Sequence, residues 1–432
     1  MASQSVFLAV PEQVPADASA ALRVAILGFG TVGSSVARIL SDGKFPGLEL
    51  THVFNRNVDR KRAPWVSPSV QWTQDFSEVL ESDVEVLVEV VGGLEPARSW
   101  LKAALQAGKS VVTANKQLIA RYGSELSHIA LQNQCQLLFG ASVAGGVPVI
   151  TAVENGLSGD QLHSICGILN GTCNFVLNQM EEGQSFSDAL KEAQTLGYAE
   201  ADPTDDVMGY DTRAKLAILA RVALGVELCL EDVPCSAISN IVPVDFEYAH
   251  DLGCTIRQVG EAHIEAGHAF ATVEPMLVRR GSPLARARGC ENVVITEGKF
   301  AGCTAFSGPG AGGDATAVAV VSDLLTLSQN RSVATVYASQ AFDTGKDCVA
   351  PYYLRFIVKD RPGIVASIAG ELARFEINVD AVFQKPGYDK SHLPFVITVE
   401  ACSGTKLAAA LREISRSDFL VEAPLMLRIF GQ

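Results

Sequence analysis

The most suggestive chemistry in the sequence comes from two charged residues at helical spacing. In the run from Gly197 to Lys215, Asp211 and Lys215 stand four positions apart, which puts both side chains on one face of a helix. Ile218, Leu219 and Val222 continue that face, so the pair points to the interior rather than to water. Charges on an apolar face are costly unless paired or used, and such places are where proton affinities are tuned. One reading is a structural ion pair. The other is an ammonium-binding carboxylate, Asp211, beside a general-acid lysine, Lys215. A second lysine, Lys116 of Thr113-Ala-Asn-Lys116, falls just past the carboxyl end of an expected strand, the edge where open parallel sheets bind ligands. From position alone an exposed loop lysine is the simpler reading.

Three glycine-bearing or polar runs add to these. Gly28-Phe29-Gly30-Thr31-Val32-Gly33 closes a strand and opens a helix. That context lets glycines approach a pyrophosphate while the helix N-terminus meets its charge. An acid about 20 residues downstream would favour NAD. The sequence instead offers Asn55-Arg56-Asn57 with Arg60, Lys61 and Arg62 close behind, and Arg56 could pair with the 2′-phosphate of NADP. A solvated basic turn is the alternative, so both cofactors stay open. Phe139 to Pro148 is glycine-rich and acid-free, either a carbonyl cage for a monovalent cation or a close packing turn. Asn170-Gly-Thr172-Cys-Asn174 could hold the polar groups of an amino acid, with Cys173 a nucleophile only if a base lies near.

These residues need elements to position them. Apolar strands at 22–27, 48–54, 83–91 and 110–113 alternate with helices, including 34–40 and 95–107, which predicts a doubly covered parallel sheet. A helix over 207–224 precedes strands at 255–264, 268–278 and 292–300, an α+β arrangement. Gly308 to Gly313 then opens a helix over 314–327. The last 80 or so residues read as a separate βαββα unit with a final strand near 425–429, a ferredoxin-like pattern. The expected division is a flexible 1–20 and a nucleotide-binding domain at 21–147 completed by 306–342. A catalytic and dimerisation domain at 148–305, a linker at 343–351 and a regulatory domain at 352–432 follow.

Composition narrows the partners. The 432 residues are 48% hydrophobic and 19% charged, with a net charge of −14, which disfavours nucleic acid and anionic membrane surfaces. The ten cysteines form no CxxC pair, which argues against zinc ribbons and for a reducing compartment. Residues 1–20 lack the basic start of a signal peptide, and no apolar run suits a membrane span, so a cytoplasmic location is expected.

GFGTVG, TANK, SVAGGVP, GILNGTCNF, LGYAEADPTDDVMGYDTRAKLAIL and SGPGAGGDAT appear in the order seen in homoserine dehydrogenases, over about 21–340, and Asp360-Arg-Pro-Gly363 resembles an ACT domain. The resemblance implies a Rossmann-type domain, an α+β catalytic domain and an ACT domain, with a homodimer or homotetramer. It implies the reversible NAD(P)-dependent interconversion of L-aspartate 4-semialdehyde and L-homoserine, with NADP favoured and L-threonine the candidate effector. Lys215 would be the proton donor, with Lys116 and Asp211 at the reacting centre. Substrate contacts would fall to Gly197, Glu200, Asp206, Asp211 and Thr172. Cofactor contacts would fall to Gly28, Phe29, Gly30, Thr31, Val32, Gly33, Arg56, Lys116, Gly310 and Gly312. A sodium ion would sit on the carbonyls of Val143, Gly145 and Val147, although this chain has Gly140 where many members carry Glu. Two rivals remain: an acylating aldehyde dehydrogenase using Cys173, and a non-catalytic amino-acid sensor.

Overall fold

The computed structural model describes residues 21–265, 267–329 and 347–431. The expected flexible 1–20 and most of the expected linker lie outside them.

The first sheet has six strands in the order β3-β2-β1-β4-β5-β6. They are β1 (Leu22–Leu27), β2 (Leu48–Phe54), β3 (Gln71–Thr73), β4 (Val86–Glu89), β5 (Ser110–Thr113) and β6 (Leu137–Leu138). All its pairings are parallel. β1 shows why its run is apolar throughout. Val24 and Ile26 pack with Val36 and Val320 on one face, while Ala25 and Leu27 pack with Leu101 and Leu118 on the other. Side chains alternate along a strand, so a sheet covered on both faces needs apolar residues at every position. The covering helices are Thr31–Ser41 and Gly313–Ser328 on the first face, with Ala97–Gln106 and Lys116–Gln132 on the second.

The second sheet has nine strands in the order β11-β10-β7-β8-β9-β15-β12-β14-β13. Its strands before residue 310 are β7 (Leu162–Ile168), β8 (Cys254–Glu265), β9 (His268–Arg279), β10 (Glu291–Gly298) and β11 (Gly302–Pro309). β12 (Val349–Val358), β13 (Val379–Gln384), β14 (Leu393–Ser403) and β15 (Leu425–Phe430) belong to the C-terminal unit. The helix Tyr210–Leu224 packs against this sheet, Thr212 fitting where Gly260 leaves room. Its Ile218 and Leu219 join the same core as Ile119 of the Lys116–Gln132 helix.

Several expectations need correction. The helix expected over 207–224 is broken: a turn at Thr204–Val207 ends at Gly209, whose φ is +81°, and the long helix starts at Tyr210. Gly209 is suited to that conformation because no Cβ opposes it. The apolar run at 83–91 contains only a four-residue strand, β4, and it is fourth in order because β3 precedes it. β12 begins at Val349, inside the segment expected as a linker.

The C-terminal unit follows βαββαβ order and has its own core around Leu354, Phe356, Ile368 and Leu407. It is nevertheless not separate. β15 pairs in parallel with β9 through Arg428, Ile429 and Phe430, making one continuous sheet. Arg428 is buried at that seam, in an ion pair with Glu261, 3.2 Å from Glu274, and donating to Cys348 Sγ at 3.1 Å. A second tie joins Tyr353 Oη to Asp245 Oδ1 at 2.8 Å, with Arg355 on the other oxygen.

Candidate active site

Lys116 and Lys215 converge on one carboxylate. Lys116 Nζ lies 2.6 Å from Asp211 Oδ1, and Lys215 Nζ lies 2.8 Å from Oδ2. Lys215 Nζ also donates to the Leu169 carbonyl at 2.7 Å. Asp211 is 3% exposed. Burial alone would raise its carboxyl, but Lys215 and Lys116 hold it well below the usual carboxylate range. Burial works against the charge on Lys116, yet Asp211 outweighs it and raises the ammonium above its ordinary value. The cluster therefore keeps a carboxylate and an ammonium in charged form inside protein.

Local sequence explains this placement. Thr113 ends β5, and its hydroxyl donates to Glu89 at the end of β4, 2.6 Å away. Glu89 in turn accepts the Val91 and Gly92 amides. Asn115 caps the following helix by accepting from Leu118 N at 3.2 Å, which places Lys116 at its first position. On the other side, Asn170 caps the helix Gly171–Glu181 through Cys173 N at 2.8 Å. Its amide donates to Asp206 at 2.6 Å and to Asp211 at 2.8 Å. Burial raises the Asp206 carboxyl, and the Asn170 bond only partly offsets it.

The polar loop lies beside this cluster. Thr172 Oγ1 donates to the Tyr198 carbonyl at 2.6 Å, tying the loop to the Gly171–Glu181 helix. Gly197 takes φ of +77° and, like Glu200, is exposed. Among the described residues, no hydrogen bond or ion pair joins Glu200 to the lysine–aspartate cluster. Cys173 is 1% exposed, its thiol donates to the Asp206 carbonyl at 3.1 Å, and burial pushes it far above the usual thiol range. That is the environment of an inert thiol rather than a thiolate.

The glycine loop sits at the carboxyl end of β1. Gly28 takes φ of +102°, and a Cβ on Gly33 would overlap the Gly28 carbonyl. A Cβ on Gly30 would meet open space. Phe29 is buried with its ring centroid 4.8 Å from that of Trp72, Val32 is half-buried, and Thr31 is exposed at the start of the helix. Arg56 is exposed on the turn after β2. A groove of about 560 Å³ lined by Phe29, Ser34, Arg38 and Trp65 opens beside the loop. The strand order reverses between β1 and β4, the switch point at which such sheets bind ligands.

The 143–147 loop packs backbone to backbone on the 309–311 loop, with Gly146 N donating to Pro309 O at 3.1 Å. A Cβ on Gly145 would lie 2.7 Å from the Gly310 carbonyl, and Val143 and Val147 are buried. Gly312 takes φ of +121° and caps the helix Gly313–Ser328. Asp323 of that helix accepts from Gly140 N at 2.9 Å, and its Oδ1 lies 2.8 Å from where a Cβ at 140 would sit. Burial pushes its carboxyl up to about 7. Among the described residues no group of three or more His, Cys, Asp or Glu side chains could hold a metal, and no helix is long and apolar enough to cross a membrane.

The spacing of Asp211 and Lys215 exposed the pair, but Asn170, Asn292 and the Leu169 carbonyl were not singled out for this cluster. Asn292 Nδ2 donates to Leu169 O at 3.1 Å, from a strand more than a hundred residues away. An Asn before a helix-forming run is a capping signal, which could have drawn attention to Asn170.

Comparison with known proteins agrees with this architecture. Residues 28–140 match the family described as homoserine dehydrogenase, NAD binding domain; residues 148–325 match homoserine dehydrogenase; residues 352–418 match the ACT domain. A homoserine dehydrogenase of Bacillus subtilis is 36% identical, covering 95% of this chain and 99% of that protein. One of Mycobacterium tuberculosis is 39% identical over 85% of this chain and 87% of that protein. The crystal structure of a homoserine dehydrogenase from Thiobacillus denitrificans superimposes with a TM-score of 0.87 at 33% identity, covering 95% of this chain and 98% of that one. A hyperthermophilic archaeal homoserine dehydrogenase in complex with NADPH gives a TM-score of 0.62 at 27% identity, over 73% of this chain and 99% of that one. With both enzyme domains matched in order and relatives above 30% identity spanning nearly the whole chain, it belongs to the homoserine dehydrogenases, oxidoreductases that act on a CH–OH group with NAD(P).

Proposed function

We propose that the lysine–aspartate–lysine cluster is the reacting centre for interconversion of L-aspartate 4-semialdehyde and L-homoserine. The single observation that carries this is Asp211 bridging Lys116 and Lys215, deep beside the Leu169 carbonyl. The residues around the glycine loop fit a dinucleotide, since Gly28 and Gly33 allow the close turn and nothing crowds Gly30. NAD(P)H, when bound, supplies the hydride. Lys215 then protonates the oxygen of the reduced aldehyde and, as a positive charge beside it, stabilises the alkoxide as it develops. Asp211 and Asp206 offer carboxylates to the substrate's ammonium group, and Thr172 holds the 197–200 loop that brings Gly197 and Glu200 to the same substrate. Lys116 stands at the junction of cofactor and substrate.

Arg56 supports a preference for NADP, since an exposed guanidinium just past β2 suits a 2′-phosphate. A monovalent cation such as sodium, held by the carbonyls of Val143, Gly145 and Val147, fits the glycine-rich turn that packs on the 309–311 loop. The reaction serves threonine, methionine and isoleucine synthesis in the cytoplasm, which ten free thiols suit. L-threonine would act through the ACT domain, where a cavity of about 220 Å³ is lined by Asp360, Arg361, Gly363 and Gln384. The protein would work as a homodimer or homotetramer. Turnover of L-aspartate 4-semialdehyde with NADPH against NADH, with and without L-threonine, tests the reading. No turnover by folded protein would turn attention to the sensor alternative.

A further inference from the structure

The two catalytic lysines sit on helices from different domains, and something must fix those helices against each other. Lys116 opens the helix Lys116–Gln132 on the parallel sheet, whereas Asp211 and Lys215 ride the first two turns of Tyr210–Leu224 on the mixed sheet. Farther along both helices lies a buried charge that the chemistry does not use. The Arg221 side chain is 2% exposed. Its Nη1 donates to the Ile119 carbonyl at 2.9 Å and its Nη2 to the Ala120 carbonyl at 3.2 Å. Its Nε and Nη2 grip Glu227 at 2.8 and 2.5 Å, and Glu227 accepts from Ser124 Oγ at 2.6 Å. The guanidinium thus holds the Lys116 helix through two backbone carbonyls and, by way of Glu227, through Ser124.

Gly123 completes the joint. A Cβ there would overlap Arg221 Nη1, so this glycine, inside a helix, leaves the room the guanidinium occupies. A buried ion pair of this kind stabilises little compared with apolar side chains of the same volume, but it fixes one arrangement over others. The carbonyls of Ile119 and Ala120 are main-chain atoms one turn from Lys116, so a shift of Arg221 is felt as a shift of Lys116 relative to Asp211.

We propose that Arg221 is a positioning residue for the reaction, setting with Gly123 and Glu227 the separation of the two helices and hence the geometry of Lys116, Asp211 and Lys215. The inference rests on the reading of those three residues as the reacting centre. Near-attack geometry is sensitive, with displacements of about 1 Å costing roughly a hundredfold.

The test uses the full-length enzyme with Arg221→Met, Arg221→Lys, Gly123→Ala and the double variant Gly123→Ala/Arg221→Met. Arg221→Met is expected to lower kcat roughly 10- to 100-fold with little change in KM for the dinucleotide, and to shift the pH profile of kcat. Gly123→Ala, a substitution that by itself favours a helix, should reproduce the defect with Arg221 present, because it displaces the guanidinium. The double variant should be no slower than Arg221→Met, since the clash has gone. Arg221→Lys should recover part of the rate. If Arg221→Met does not fold, Gly123→Ala and Arg221→Lys still decide the matter. A Gly123→Ala enzyme with wild-type kcat and pH profile would overturn the proposal, as would defects that appear only in thermal stability. If those variants are fully active while Lys215→Ala is inactive, the positioning role fails and the reacting centre stands; an active Lys215→Ala enzyme overturns the centre itself.

Discussion

Replacing Asp211 by Asn tests whether one carboxylate holds two lysines in working order. Asp211 holds three partners on two oxygens: Oδ2 accepts from Asn170 Nδ2 and Lys215 Nζ, each at 2.8 Å, and Oδ1 forms an ion pair with Lys116 Nζ at 2.6 Å. An amide offers one oxygen. If that oxygen stays with Lys215 and Asn170, an NH2 group faces the Lys116 ammonium, and no negative charge remains between two positive ones. Removing one partner of a buried pair costs about 3–5 kcal/mol. Because the Lys116 side chain is 38% exposed and can turn to water, the lower end applies. That is a cost to folding, and it is read in the unfolding midpoint. With neither lysine held in place, Asp211→Asn should also lower kcat/KM for L-aspartate 4-semialdehyde roughly a hundredfold, the loss expected when reacting groups move by about 1 Å. The alkaline limb of its pH profile should move to lower pH, because the carboxylate that raised Lys116 has gone. Steady-state rates across a pH series, beside a thermal unfolding scan, measure both effects. A variant that stays within a few-fold of wild type with an unmoved profile would refute the reasoning.

Three further outcomes follow from the same geometry. Arg56→Ala should raise KM for NADPH roughly 10- to 100-fold while leaving NADH almost untouched, as expected for one charge-assisted bond of about 1.5–3 kcal/mol; equal effects on both would remove Arg56 from the 2′-phosphate. Cys173→Ser should keep kcat within a few-fold, since the thiol is buried and bonded to the Asp206 carbonyl at 3.1 Å; a hundredfold loss would revive the thiolate alternative. Arg428→Leu should lower the unfolding midpoint measurably, because Glu261 and Glu274, both half-buried, are left without their cation, and unchanged stability would show that the domain seam is held by its apolar contacts alone.

What was legible in the sequence was local. The glycine loop declares itself because the turn, the strand before it and the helix after it all lie within twenty residues. The Asp211–Lys215 pair shows through helical periodicity for the same reason. The ends of these elements were harder. Gly209 interrupts a run that otherwise reads as helix, and its positive φ is fixed by the turn before it. Lys116 looked like a loop residue because it was read only as the residue past a strand, although Asn115 is a capping residue and Leu118, Ile119, Leu126 and Ala130 recur at helical spacing in Lys116–Gln132. The remaining features are non-local. Nothing near Arg428 announces that β15 will lie beside β9, nothing near Gly140 announces the Asp323 carboxylate, and nothing near Gly123 announces the Arg221 guanidinium. Strand order and buried ionic partners depend on the whole fold, whereas caps and periodicity depend on a few neighbours.

The joined sheets also bear on regulation. Cutting the chain after Ala350 is a poor test of threonine sensing, because it would strip β15 from the middle of the nine-stranded sheet and uncover Glu261 and Glu274. Asp360→Ala, at the cavity by the Asp360–Gly363 turn, is the gentler perturbation.

The central claim is that Lys215 donates the proton, and its removal is unusually clean. Without it, Leu169 O keeps its bond from Asn292, and Asp211 keeps Lys116 and Asn170, so folding should survive. The decisive measurement is kcat for NADPH-dependent reduction of L-aspartate 4-semialdehyde by wild type and Lys215→Ala, with NADPH affinity measured in parallel. The account predicts a loss of about 10²–10⁴-fold in kcat with the affinity nearly unchanged. A Lys215→Ala enzyme that binds NADPH and turns over at the wild-type rate would contradict it.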